Sequence, residues 1–123
     1  MTIRTRGTGI RGEDLAAAHF ASELGARVLA RNLRLAGAEI DLLVEDAGDL
    51  VAVEVKTRIG TQPALPEEAV GTAKLRRIER ALAAYAQANP AYEPCGWRID
   101  VVAITLGADG QVLRLRHVRD ASA

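Results

Sequence analysis

An α/β fold in one domain is the class this sequence predicts. Three observations point to it: two segments with helical apolar spacing, five short segments rich in alternating or β-branched apolar residues, and turn signals that order them α-β-β-β-α-β-β. A chain of 123 residues, 49% hydrophobic and 26% charged, suits a single domain over 1–123 with its core at about residues 9–118.

Residues 10–24 place Ile10, Leu15, Ala16, Ala17, Phe20, Ala21 and Leu24 along one helical side and stop at Gly25. Arg27 to Leu33 reads as a short strand. Glu39 to Glu45 and Leu50 to Thr57 read as stronger strands joined by the turn signal Ala47-Gly48. Gly60 to Pro66 holds two prolines and reads as a loop. Leu75, Ile78, Leu82 and Tyr85 then recur at helical spacing until Asn89-Pro90 stops them. Trp97 to Leu106 and Val112 to Val118 flank Ala108-Asp109-Gly110 as a closing hairpin, and together the strands are expected to form a mixed sheet with helices packed on it.

Composition removes several function classes. One cysteine, Cys95, builds neither a disulfide framework nor a thiolate zinc site, and without a nearby histidine it is not a nucleophile. His19 and His117 stand far apart in sequence, make no pair at metal-ligand spacing, and read as surface or packing residues. Aromatics are 3%, too few for the stacking platforms of RNA-recognition and single-strand-binding domains. No apolar run follows Arg4, Arg6 and Arg11, and none reaches the roughly 18 residues of a membrane span, so a cytoplasmic protein with no membrane partner is expected. Lysine plus arginine, 16, equals aspartate plus glutamate, 16, which counts against a dedicated nucleic-acid-binding domain. The charge is nevertheless sorted. Residues 39–54 carry acids and no bases, while bases collect in the N-terminal arm, around Lys74, Arg76, Arg77 and Arg80, and at Arg114, Arg116 and Arg119. That layout can frame a polyanion around a cation-binding centre, or simply mark solvated faces.

The chemistry concentrates between Ile40 and Lys56. Strand alternation puts Ile40, Leu42 and Val44 on one face and Asp41, Leu43 and Glu45 on the other; on the next strand Val51, Val53 and Val55 oppose Ala52, Glu54 and Lys56. A loop of two or four residues sets Leu42 opposite Val53 and Asp41 opposite Glu54, keeping the apolar rows together. Directly opposed residues have Cβ atoms about 4.5–5.5 Å apart, so the two carboxylates repel unless they share a hard cation. Lys56 follows on the Glu54 face, roughly 6–7 Å along the strand. Two carboxylates, a magnesium-type ion and a lysine suffice for phosphodiester hydrolysis. Taken alone the pattern is short, and alternating charge on a strand is more often the solvent face of a half-covered sheet. Glu13, placed in the first turn of the first helix, reads either as an acid favoured by the helix dipole or as a further carboxylate for the metal. Lys74 and Arg77 read as solvated helix charges or as phosphate contacts, and Arg98 and Asp100 as partners of their neighbours.

Several stretches then resemble the YraN-like family in order and spacing: Gly9-Ile10-Arg11-Gly12-Glu13, Arg31-Asn32-Leu33-Arg34, Glu39-Ile40-Asp41-Leu42, Val53-Glu54-Val55-Lys56-Thr57-Arg58, Ala69-Val70 before Lys74, and Arg98-Ile99-Asp100-Val101-Val102. The resemblance covers about residues 9–106. It implies a restriction-endonuclease-like core, similar to archaeal Holliday-junction resolvases, and an endonuclease using Mg2+ or Mn2+. By the same resemblance, Asp41 and Glu54 hold the metal with Glu13 assisting, Glu54 and Lys56 form the catalytic Glu-x-Lys, and Glu39 is the acid two residues before the aspartate. Arg11, Arg58, Lys74 and Arg77 become the expected nucleic-acid contacts. With no base-reading element in sight, branched or flap DNA is the expected substrate, and a homodimer is expected by analogy. The family's usual glycine before Glu-Ile-Asp is Ala38 here, and the loop after Arg58 carries Gln62 and Pro63 in place of Phe-Gly. The rival expectations are a nucleic-acid-binding module without activity and a protein-interaction scaffold.

Overall fold

The structure is a computed structural model and describes residues 6–92 and 95–121, with side chains from Ile10 onward. Arg4 and the side chain of Arg6, expected in the basic arm, lie outside the described residues. The chain runs through α1 (Arg6–Ala18), a π-helical turn (His19–Glu23), β1 (Arg27–Leu35), β2 (Ala38–Asp46) and β3 (Asp49–Ile59). A 3-10 turn (Pro66–Glu68), α2 (Thr72–Ala88), a second 3-10 turn (Pro90–Tyr92), β4 (Gly96–Leu106) and β5 (Val112–Val118) follow.

The five strands form one mixed sheet in sequence order, antiparallel throughout except for β3 and β4. That parallel pair requires a crossover, which α2 supplies. The helices cover opposite faces. Ala16 and Phe20 pack on Leu42, Val44, Val53, Val102 and Ile104, while Ile78, Ala81 and Leu82 pack on Ile40, Leu43, Ala52 and Ile99. Both hairpin turns of the β1–β3 meander are alanine-glycine pairs at positive φ: Ala36 (51°) and Gly37 (80°), Ala47 (51°) and Gly48 (85°). Two successive left-handed residues make a type I′ turn, whose twist matches the strands it joins. The family's missing glycine is therefore harmless, because the left-handed positions are residues 36 and 37 rather than Ala38.

The β2–β3 turn is the two-residue form, and Leu42 opposes Val53 as the apolar rows demand. One part of the face assignment needs correcting. Ile40 belongs with Leu43 on the α2 side, opposite to Leu42 and Val44. The cause lies one position on, where the β1–β2 pairing passes from Leu33/Ile40 to Arg31/Leu42 with Asn32 between them at a φ of 51°. Both strands lose one step of alternation together at Asn32 and Asp41, so the faces switch while the register is kept.

The two histidines, expected to be surface or packing residues, pack on each other. His19 Nε2 lies 3.1 Å from His117 Nδ1, and Phe20 packs edge-on against both rings. His117 Nε2 is 2.7 Å from Asp100, a fully buried carboxylate that also accepts from the Asp120 amide and from Arg98. Arg98, itself buried, binds Asp46 and Asp49 as well. Burial alone would raise the Asp100 pKa, but the bonds from His117, Asp120 and Arg98 outweigh it and hold it below the ordinary aspartate value. The same carboxylates hold the Arg98 guanidinium above its ordinary value against its burial.

Candidate active site

Pairing between β2 and β3 ends at Leu42/Val53, and the strands part where their carboxylates stand. Side chains replace the missing ladder bonds. Asp41 Oδ2 accepts from the Val55 amide at 2.8 Å, and the Asp41 amide points at Glu54 Oε2 at 3.4 Å. Asp41 and Glu54 thus meet as the strand register predicts, held by the backbone rather than left to rotate.

Glu54 is 3% exposed, and its Oε1 lies 2.7 Å from Lys74 Nζ at the start of α2. Burial first, and the neighbouring Asp41 charge second, raise its pKa above the ordinary glutamate value despite the lowering by Lys74. Lys74, which the sequence offers as a solvated helix charge or a phosphate contact, is in the structure also the counter-charge of the buried acid. Lys56 and Arg58 project farther along β3, and both reach one oxygen of Glu68, at 3.7 and 3.0 Å. Glu68 was not singled out from sequence, because it lies beyond the proline-rich loop and shares no strand with its partners.

Two cavities meet at this point. One of about 560 Å³ is lined by Asp41, Glu54, Lys56, Arg58, Glu68 and Lys74. The other, of about 430 Å³, is lined by Glu13, Asn32, Asp41, Glu54, Lys74 and Arg77. Asp41, Glu54 and Lys74 are the wall common to both. Glu13 is 9% exposed and within 3.9 Å of Arg31, which pairs more closely with Asp14 at 2.8 Å. Because α1 runs over Arg6–Ala18, Glu13 sits mid-helix and not in the first turn, which removes the helix-dipole explanation for an acid there. Its entry is made possible by Gly12, which lets α1 lie against Thr57 of β3. Arg77 reaches the second cavity, whereas Arg11 donates to the Gly110 carbonyl at 3.2 Å, away from both cavities. Glu39 is exposed and lies 3.8 Å from Arg34.

The donor set decides what ion these residues fit. Among the described residues no group of three or more His, Cys, Asp or Glu side chains is placed to hold a metal, which argues against a closed protein cage. Two hard carboxylates beside an open cavity instead match magnesium or manganese, which keep waters and take substrate phosphate oxygens as their remaining ligands. The raised Glu54 pKa fits the same ion, since a divalent charge would relieve the repulsion from Asp41.

A five-stranded mixed sheet flanked by two helices, with paired carboxylates and lysines in a cleft where two strands part, defines the class: an α/β domain with a polar, ion-paired cleft. The chain belongs to the YraN-like family UPF0102, described as "Uncharacterised protein family UPF0102", whose profile matches residues 12–104. The UPF0102 protein of Symbiobacterium thermophilum is 46% identical over 95% of this chain and 97% of its own. That of Roseiflexus castenholzii is 40% identical over 96% and 94%, and that of an Arthrobacter species 42% identical over 90% and 92%. Among the described residues, no helix is long and apolar enough to cross a membrane.

Proposed function

We propose that this chain is a metal-dependent endonuclease of restriction-endonuclease-like architecture that hydrolyses phosphodiester bonds in branched or flap DNA. The observation that carries the reading is the pairing of Asp41 with buried Glu54 where β2 and β3 part, with Lys56 next on the same strand and Lys74 and Arg77 facing from α2. Bound Mg2+ or Mn2+ would supply polarisation of a phosphoryl oxygen and a lowered pKa for water. Asp41 and Glu54 would hold that ion, and Glu13 would assist from across the second cavity. Lys56 orients the attacking water and stabilises charge developing on the phosphoryl oxygens. Arg58, Lys74 and Arg77 contact flanking phosphates, which positions a substrate without reading its bases. Arg11 and a second copy of the chain would extend the contact beyond the cleft.

The test is cleavage of labelled duplex, flap and four-way-junction DNA with magnesium, manganese or chelator, for wild type, Asp41→Ala and Lys56→Ala. Metal-dependent cutting lost in both variants is expected. No cutting of any substrate by folded wild type overturns the reading, and binding without cutting that weakens steeply with salt would mark a binding module instead.

A further inference from the structure

We propose that Glu68 occupies, as a built-in anion, the subsite that Lys56 and Arg58 form for a substrate phosphate; the inference rests on the phosphodiester reading above. One carboxylate oxygen of Glu68 serves both cations, 3.7 Å from Lys56 Nζ and 3.0 Å from Arg58 Nη2. A phosphate oxygen makes the same bridging contact, and the two cations line the cavity that also holds Asp41 and Glu54. Gln62 Oε1 accepts from Arg58 Nη1 at 3.3 Å and lines the same cavity.

The backbone that carries Glu68 is anchored. The Ala64 amide donates to Thr105 Oγ1 at 2.9 Å, Pro66 is buried, and the Glu68 and Ala69 amides bond back to Leu65 and Pro66. The Glu68 side chain is 38% exposed. It can therefore leave by swinging into solvent while its backbone stays in place. The same short segment, 68–74, sends its glutamate onto the cations of β3 and its lysine onto Glu54, so the site is charge-matched internally before anything binds. A phosphodiester must displace the glutamate to reach Lys56, which selects for ligands that bring more than one phosphate to the cleft.

The experiment measures binding of labelled four-way-junction and duplex DNA in chelator, so that neither metal nor turnover enters. Proteins compared are wild type, Glu68→Gln, Glu67→Gln, Lys56→Ala and the double variant Lys56→Ala/Glu68→Gln, each checked for an unchanged melting temperature. Glu67 is the exposed neighbour, and its substitution changes net charge equally. Glu68→Gln should bind about threefold to tenfold tighter than wild type, with a steeper salt dependence. Glu67→Gln should stay within about twofold of wild type, and the double variant should gain less over Lys56→Ala than Glu68→Gln gains over wild type, since only Arg58 is then left to be freed. Equal gains for Glu68→Gln and Glu67→Gln, or no gain with binding that still needs Lys56, overturn the inference and leave the phosphodiester reading standing. Absence of DNA binding by every protein overturns both.

Discussion

Replacing Gly12 with alanine tests how α1 is held against the sheet. A Cβ at Gly12 would overlap Thr57 Oγ1 and stand 3.1 Å from Thr57 Cβ and 3.3 Å from its Cγ2. Alanine gains about 1 kcal/mol of helix propensity over glycine, whereas overpacking of this kind costs about 1–3 kcal/mol. The upper part of that range applies, because β3 is a central strand and α1 can retreat only by lifting Ala16 and Phe20 from their shared core. The net expectation is a loss of about 1–2 kcal/mol. Thr57→Ala alone should be nearly neutral, within about 1 kcal/mol, since Thr57 Oγ1 is buried with no hydrogen-bond partner among the described residues and its removal offsets the lost methyl. In the double variant the steric conflict is largely gone, so a double-mutant cycle by urea unfolding should show a favourable coupling of about 1–2 kcal/mol. Gly12→Ala as stable as wild type, or strictly additive substitutions, would refute the close approach. The same displacement would draw Glu13 out of its cavity.

Three further outcomes follow from the buried charges. Arg98→Met removes the guanidinium that Asp46 and Asp100 share, leaving Asp46 only the distant Arg119 and Asp100 only His117, and should cost about 3–5 kcal/mol in denaturant unfolding. Because the folded pKa of Asp100 is depressed, its contribution is full above the unfolded value of 3.8 and lost as pH falls through the lower folded value; Asp100→Asn should flatten the stability-pH slope in that acid window. The Glu54 pKa is raised, so its ionisation opposes folding as pH climbs above 4.5, and Mg2+ or Mn2+ should bind more tightly with rising pH while releasing a proton. Calorimetry in buffers of different ionisation enthalpy reads that proton, and Lys74→Met, which removes the lowering influence on Glu54, should move the window to higher pH.

Particular residues show where the sequence was readable. The Ala47-Gly48 signal and the alternation of Val51, Val53 and Val55 set the β2–β3 register, because a one-residue slip would have set Asp41 across from a valine of β3 and broken the facing of the apolar rows. That register places Asp41 beside Glu54. The switch of faces at Asn32 and Asp41 was not readable, since it depends on two strands distorting together, and an asparagine tolerant of positive φ was its only local sign. The contact of His19 with His117 arises where the π-helical turn after α1 meets β5, a tertiary relation with no periodicity to betray it. Glu68 and the pairing of Lys74 with Glu54 are not legible for a similar reason: their partners lie on β3, across a loop whose path the sequence does not encode as a repeating pattern.

The strand connectivity also sets an order of events in folding. The β1–β3 meander closes through two-residue turns, whereas every β3–β4 contact spans the α2 crossover, so loop-closure entropy favours the meander first and the parallel pair late. Asp41 and Glu54 are therefore brought together while the segment bearing Lys74 is still undocked. Their repulsion then acts as a brake on the early hairpin, and docking of α2 is the step that releases it.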